Sequence, residues 1–127
     1  MSSTPNLIES WAQSHGIALD EGAVRNRVAI TFDRVRVHLI DLGGQGLLAE
    51  ARLLLLPTAQ GERDRVIERA LGLAAGRLLQ TPVRLCAQEP GDALWLQHDL
   101  PESSDLVEID LAVGRLVDEI ELLRGLL

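Results

Sequence analysis

The chain has 127 residues, a formal net charge of −7 and a pI of about 4.8. This acidity disfavours nucleic acid and anionic membrane surfaces as the main partner, because both would repel the chain. With 2 Trp, 1 Phe and 0 Tyr, recognition by aromatic stacking is also disfavoured, and the core must be built from aliphatic side chains. A chain of this length predicts one domain over residues 1–127.

Cysteine content and hydropathy bear on where the protein works. Cys86 is the single cysteine, so no intrachain disulfide can form and nothing indicates an oxidising compartment. The N-terminus lacks a basic leader, and no apolar run reaches about 18 residues. We therefore expect a cytoplasmic protein that does not insert into a membrane.

The first predicted element is a short helix near the N-terminus. Thr4-Pro5 offers a cap followed by proline, and Gly16 offers a left-handed stop. The apolar residues between them recur at helical spacing and form a narrow stripe: Leu7, Ile8, Trp11 and Ala12. A helix this short needs a surface to pack on.

An antiparallel hairpin is predicted next. Apolar residues alternate with polar ones from Val24 to Phe32 and again from Val35 to Leu39, the period of a half-buried strand. Asp33-Arg34 between them makes a tight turn. Gly43–Gly46 is expected to form the following turn, because no lysine or helix N-terminus follows that would make it a phosphate loop.

The third predicted strand, Leu47 to Leu56, is apolar on both faces in its second half. Uninterrupted alternation would place Leu54 and Leu56 on the face that also carries Glu50 and Arg52. Either helices cover both sides of the sheet here or an apolar patch is left for a partner.

The stretch from Thr58 to Pro82 predicts the central helix of the chain. It contains the small-residue run Gly72, Ala74, Ala75 and Gly76. Each glycine inside a helix costs about 1 kcal/mol relative to alanine, so close approach of another backbone is the expected compensation. That backbone could belong to the sheet of the same chain or to a second copy of the helix.

A second hairpin and a last helix complete the chain. Strands are predicted at Val83–Gln88 and Ala93–Asp99, joined by the turn Glu89–Asp92. Asp105 begins the last helix with a capping-box spacing, and an apolar seam follows as far as Leu127. The predicted fold is α+β, with the order α-β-β-β-α-β-β-α and two layers: an antiparallel sheet packed by helices.

Catalytic and metal-binding patterns are not detected in the sequence. The three histidines lie in separate elements and lack the spacing of a metal site. Cys86 could act as a nucleophile only with a base beside it, and His98 on the neighbouring strand is the one candidate. We expect no enzymatic activity, no cofactor and no bound metal.

Several stretches taken together resemble a known family. They are the helix with Leu7, Ile8 and Trp11, the strand GLLAEARLLLL, the helix RVIERALGLAAGRLLQT, the segment GDALWLQHDLP and the tail ELLRGLL. With the element order and the acidity, they make nearly the whole chain resemble the class I type III secretion chaperones of the Tir-chaperone (CesT-like or SycE-like) group. The resemblance implies a dimer in the bacterial cytoplasm that binds the non-globular N-terminal segment of a secreted effector and keeps it secretion-competent without ATP.

The resemblance also implies two kinds of contact residue. Apolar side chains expected to bind the effector are Leu7, Trp11, Phe32, Ile40, Leu42, Leu54 and Leu56. Residues of the central helix and fourth strand expected at a dimer interface are Leu71, Gly72, Ala74, Ala75, Leu78, Val83 and Leu85. The implied partners are the effector, a second copy of the chain or a related subunit in a heterodimer, and the secretion ATPase.

Two other functions stay open at this point. The chain could be a regulatory or scaffold protein of the same secretion apparatus, which would share the fold and differ in its partner. It could also be a small α/β enzyme that uses Cys86 or a histidine.

Overall fold

The computed structural model describes residues 7–17, 26–77, 80–87 and 92–127. The helices and strands follow the predicted order α-β-β-β-α-β-β-α, which confirms the α+β fold class. They are α1 (Leu7–Ser14), β1 (Arg27–Phe32), β2 (Val35–Asp41), β3 (Leu47–Leu55), α2 (Gln60–Arg77), β4 (Arg84–Ala87), β5 (Ala93–Leu100) and α3 (Leu106–Leu126).

The five strands form one antiparallel sheet with the order β1-β2-β3-β5-β4. β5 lies between β3 and β4, so the second hairpin joins the first three strands through β5. β1 and β4 are therefore the two edges of the sheet. The predicted start of the first strand at Val24 and the predicted turn residues 89–91 lie outside the described residues, as does the predicted helix start at Thr4-Pro5.

Glycine and turn geometry set the two ends of the first hairpin. Phe32 pairs with Val35, and the two residues between them have positive φ, 47° at Asp33 and 73° at Arg34. This is the twist that a two-residue hairpin turn requires. At the other end, a Cβ on Gly46 would lie 2.4 Å from the carbonyl oxygen of Leu100, so only glycine fits there.

One face of the sheet, called here the inner face, is covered by α1 and α3. Side chains of β1, β2, β3 and β5 on this face are almost all apolar, as the period of two predicts. α3 packs on them through buried residues near helical spacing, which confirms the predicted seam: Ile109, Ala112, Val113, Leu116, Val117, Ile120 and Leu123. Asp105 and Glu108 form the predicted capping box, with Glu108 N donating to Asp105 Oδ1 at 2.8 Å.

The end of β3 corrects the predicted placement of Leu54 and Leu56 on the polar face of the strand. Between Arg52 and Leu54 the register with β5 shifts, because an extra residue of β3 bulges there. Leu54 therefore pairs with the inward-facing Leu94, and Leu56 is 8% exposed. Leu55 takes the outward position instead and is 58% exposed. A one-residue shift moves every following side chain to the opposite face.

α2 packs much less on its own chain than α3 does. Ala70 is its buried residue, and Val66, Ile67 and Leu73 are half-buried against the core. Two arginines join α2 to α3. Arg77 donates to both carboxylate oxygens of Glu119, and Arg69 Nη2 donates to the carbonyl oxygen of Leu126 at 2.6 Å.

Candidate protein-binding surfaces

An open cleft lies where the end of α1, the β1–β2 turn and the middle of α3 meet. Its volume is about 300 Å³. The floor is apolar and the rim carries carboxylates; the lining residues are His15, Phe32, Asp33, Asp110, Val113, Gly114, Val117 and Asp118. We call it the aromatic cleft, because Phe32 lies 6.1 Å from the Trp11 ring and 5.3 Å from the His15 ring.

Hydrogen bonds to Asp110 hold the wall of the aromatic cleft in place. Trp11 is fully buried, and its indole Nε1 donates to Asp110 Oδ1 at 2.9 Å. His15 Nε2 lies 3.0 Å from the same oxygen. A buried indole N–H needs such an acceptor, so the cleft keeps a fixed shape while Phe32 stays half-exposed.

The outer face of the sheet, opposite α1 and α3, carries a row of paired side chains that are polar on four of the five strands. From β1 across the sheet to β4, the row consists of Ala29, His38, Glu50, Gln97 and Arg84. Gln97 Nε2 donates to Glu50 Oε2 at 3.0 Å, so Glu50 is satisfied although it is only 3% exposed. Such cross-strand pairs stabilise a sheet face without a covering helix.

A second, smaller cleft of about 170 Å³ lies beside this row. Its lining comes from the β1–β2 turn, β2, β3, β5 and α3: Arg34, Arg36, His38, Arg52, Trp95 and Arg124. We call it the basic cleft. The pKa of His38 is lowered from 6.5, first by burial and then by the positive charges of Arg27 and Arg36, while Glu50 opposes the shift.

The C-terminal half of α2 presents a third surface. Leu71 is 56% exposed, and Gly72, Ala75 and Gly76 are exposed beside it. A Cβ on Gly72 or Gly76 would meet no described atom of this chain within 4 Å. Close packing on the chain's own sheet, one of the two explanations for these glycines, is therefore wrong for the part of the chain that the structure describes.

No family model matches the sequence, and no curated protein matches it. Several solved structures match the fold of this chain. A chain in the heterodimeric ExoU–SpcU complex from the type III secretion system of Pseudomonas aeruginosa matches with a TM-score of 0.68 at 22% identity, over 94% of this chain and 97% of that chain. The type III secretion chaperone SycH of Yersinia pestis, solved with a fragment of YscM2, gives a TM-score of 0.62 at 20% identity, over 91% and 95%. This chain has the type III secretion chaperone fold.

The HopA1–SchA chaperone–effector complex gives the same result. One of its chains matches with a TM-score of 0.68 at 15% identity, over 94% of this chain and 91% of that chain. The fold implied by the resemblance is thus confirmed, although the sequences have diverged widely.

The chaperone fold does not gather the seven predicted effector-binding residues into one surface. Phe32 lines the aromatic cleft, but Trp11 is buried beneath it and offers no accessible side chain. Leu56 is buried by the shifted register, so its placement on the polar face is wrong. The other four lie apart on α1, at the far end of β2 and at the bulge, and are half-buried or exposed: Leu7, Ile40, Leu42 and Leu54.

The predicted dimer residues divide into an exposed and a buried group. Leu71, Gly72 and Ala75 are exposed on α2, and Ala74 is half-buried. On the β4 side Val83 is 8% exposed and belongs to the core of its own chain, while Leu85 is half-buried and pairs with Leu96. Leu78 lies outside the described residues. The role of the group in dimerisation stays a prediction.

The pairing of Cys86 with His98 as a catalytic dyad is wrong. Cys86 pairs with Trp95 on the outer face, whereas His98 points to the inner face and is 6% exposed. Neighbouring positions of a strand point to opposite sides, so the two side chains are separated by the sheet. Among the described residues no group of three His, Cys, Asp or Glu could hold a metal ion. No described helix combines the length and apolarity that crossing a membrane requires.

Sequence reasoning did not find the basic cleft or the exposed Leu55. The arginines of the cleft come from four places between residues 34 and 124, and nothing in their spacing predicts that they meet. A usable signal was the excess of arginine over acid on the outward positions of β2 and β3, where Arg36 and Arg52 lie.

Proposed function

We propose that this chain is a bacterial cytoplasmic chaperone of a type III secretion system, which binds the non-globular N-terminal segment of a secreted effector and keeps it secretion-competent without ATP. The aromatic cleft on the chaperone fold carries this proposal. It is an open site with an apolar floor, and it lies on a fold shared with proteins solved as chaperone–effector complexes. An apolar side chain of an extended segment can fill it, and a basic neighbour can meet its rim.

The rim of the aromatic cleft gives the bound segment a charge preference. Asp33, Asp110 and Asp118 surround the apolar floor of Phe32, Val113 and Val117. An arginine or lysine next to the apolar side chain would meet these carboxylates. Because the floor is already formed by buried packing around Trp11, binding needs little rearrangement of the chaperone.

Two glycines of α3 provide a matched test of the aromatic cleft. A Cβ on either Gly114 or Gly125 would meet no described atom within 4 Å, and Gly114 lines the cleft. Gly114→Arg should fill the cleft without disturbing the core, whereas Gly125→Arg places the same side chain on the same helix away from it.

The experiment captures tagged chain from its own bacterium under secreting conditions and identifies the bound proteins by mass spectrometry. A secreted protein should be retained by the wild type and by Gly125→Arg and lost from Gly114→Arg. Co-expression with the N-terminal segment of that protein should reproduce the pattern. Equal capture by both variants, or a captured protein that is not secreted, would show the proposal to be wrong.

We further propose that the chain works as a dimer through the exposed half of α2. The supporting observation is an exposed surface of apolar and small residues next to the edge strand β4, formed by Leu71, Gly72 and Ala75. Ala75→Arg should yield a folded monomer by sedimentation velocity and circular dichroism. Gly61→Arg, at the charged start of the same helix, should stay dimeric; an Ala75→Arg protein that is still dimeric would refute this interface.

The enzyme alternative has no structural support. Its nucleophile and its base lie on opposite sides of the sheet, so we propose no enzymatic activity. An interaction with the secretion ATPase stays a prediction from the resemblance.

A further inference from the structure

The basic cleft concentrates positive charge in a chain whose net charge is −7. Four arginines line it, together with His38 and Trp95. It lies on the outer face of the sheet, where the exposed side chains include Arg36 and Arg52. Like charges close together repel one another, so the folded chain tolerates this arrangement at a cost.

The arginines of the basic cleft are not neutralised within the part of the chain that the structure describes. Three arginines outside the cleft have carboxylate partners: Arg27 has Glu50, Arg77 has Glu119 and Arg84 has Asp99. In contrast, the cleft arginines form no salt bridge with any described carboxylate: Arg34, Arg36, Arg52 and Arg124.

One of the four guanidinium groups, that of Arg124, is held in place by backbone carbonyl groups. Arg124 Nε and Nη2 donate to the carbonyl oxygens of Leu53 and Arg52 at 2.9 Å each, at the bulge of β3. Among the described atoms, Arg124 Nη1 has no hydrogen-bond partner. Arg34 has a φ of 73°, at a turn position that favours glycine. The chain thus carries an arginine where a smaller residue would be less strained.

The size and walls of the cleft limit what it can hold. About 170 Å³ is smaller than the roughly 300–1,000 Å³ of sites for small organic ligands, but it accommodates one or two side chains. Trp95 and His38, whose rings lie 5.9 Å apart, form its less charged wall. Arginine recognises carboxylates with two parallel hydrogen bonds, so several arginines around a small space fit that group.

We propose that the basic cleft binds acidic side chains, Glu or Asp, of an extended partner polypeptide. That the ligand belongs to a protein segment rests on the proposed function; the carboxylate chemistry rests on the cleft alone. Consecutive residues of the β1–β2 turn line the two clefts, Asp33 the aromatic cleft and Arg34 the basic cleft. One segment crossing this turn can therefore place an apolar or basic side chain on one side and a carboxylate on the other.

A protein segment fits the surroundings of the basic cleft better than nucleic acid does. A polyanion would bring a phosphate charge every few ångströms toward a chain that is acidic overall. A segment with one or two carboxylates places negative charge in the cleft alone. It brings no further negative charge toward the acidic remainder of the surface. Charge complementarity is then local, which favours specificity.

The test uses peptide titrations followed by ¹⁵N NMR of the full chain. The probe is Ac-Glu-Glu-Leu-Glu-NH₂, and the neutral control is Ac-Gln-Gln-Leu-Gln-NH₂. The acidic peptide should shift the amides of Arg36, His38 and Arg52 and the indole of Trp95, and the neutral peptide should not. Raising the ionic strength from about 0.1 M to about 1 M shortens the Debye length from about 10 Å to about 3 Å, so it should release the peptide.

Matched variants separate the cleft from general electrostatic attraction. Arg36→Gln and Arg52→Gln should each weaken binding about three- to tenfold, as expected for the loss of one hydrogen-bonded contact at an exposed side chain. Arg84→Gln removes the same charge from the same face of the sheet at a residue already paired with Asp99, and should change the affinity less than twofold.

Three results would overturn the proposal. They are an absence of shifts in the cleft with the acidic peptide, an equal loss of affinity in Arg84→Gln and Arg36→Gln, and tighter binding of oligothymidylate or inorganic phosphate at the same residues. Failure of the peptide titration leaves the effector capture through Gly114 unaffected. Failure of that capture leaves the peptide result standing, so the two proposals fail separately.

Discussion

The two faces of the sheet are built from the same alternating strands but differ in composition and in what covers them. The inner face is closed by α1 and α3 of its own chain, and its side chains are buried and mainly apolar. The outer face is held by cross-strand polar pairs such as Gln97 with Glu50, and it stays open at Arg36 and Arg52. The inner face forms the core, whereas the outer face carries the basic cleft.

The difference between the faces depends on a single extra residue at the end of β3. Without the bulge, Leu54 and Leu56 would have made the outer face apolar. With it, both leucines face the inner side, and Leu55 takes the outward position and is exposed. The carbonyl groups displaced by the bulge then bind Arg124, which brings a cation to the basic cleft. The same irregularity closes the core and shapes the basic cleft.

The largest difference is expected between neighbouring residues of β2. Leu39 is 0% exposed on the inner face, and Ile40 is half-buried on the outer face. Leu39→Ala should lower the free energy of unfolding by about 2–5 kcal/mol, because it leaves a cavity in a closed core. Ile40→Ala should cost about 1 kcal/mol, since solvent can fill the space. Urea denaturation measures both, and equal costs would show that the faces are not distinct.

A second pair of variants tests the bulge. Leu56→Ala should lower the free energy of unfolding by about 2–3 kcal/mol, because Leu56 is buried. Leu55→Ala should stay within about 0.5 kcal/mol of the wild type, because its side chain is exposed. A larger cost for Leu55→Ala than for Leu56→Ala would indicate that the strand alternates without interruption and that the bulge is absent.

A smaller effect is expected at the cap of α3, the helix that covers the inner face. Asp105→Ala removes the acceptor of the Glu108 N–H and should cost about 1 kcal/mol in urea denaturation. Ser103→Ala, two residues earlier and exposed, serves as the control and should be neutral. A cost no greater than that of the control would mean that inner-face packing alone fixes the start of α3.

The smallest effect is expected at His38 on the outer face. Burial and the charges of Arg27 and Arg36 lower its folded-state pKa below 6.5, so the unfolded chain takes up a proton first as pH falls. Stability due to neutral His38 is therefore full above about pH 6.5 and is lost as pH falls toward the lowered folded-state pKa. His38→Gln should lose less stability than the wild type between these values in urea denaturation at several pH values. Identical pH profiles would contradict the lowered pKa.

The sequence by itself determined the elements, their order and the hairpin geometry. Helical spacing placed α3, the period of two placed β1 and β2, and Asp33-Arg34 located their turn, because these signals are local and depend on neighbours a few residues away. The left-handed stop at Gly16, with a φ of 75°, was likewise predictable from glycine's conformational freedom. The sheet faces of the first hairpin followed directly from the alternation.

The tertiary structure alone decided the sites. Trp11 was predicted as a contact residue, but it is buried and its indole donates to Asp110. The packing of α1 against α3 determines this position, and the sequence does not show that packing. The bulge in β3 is invisible in a run of leucines, since any register of such a run looks apolar. The four arginines of the basic cleft meet because β2, β3 and β5 are neighbours and α3 ends beside them. Contacts between residues far apart in the chain carry no local signal, so the sequence determined the framework and the packing determined the surfaces.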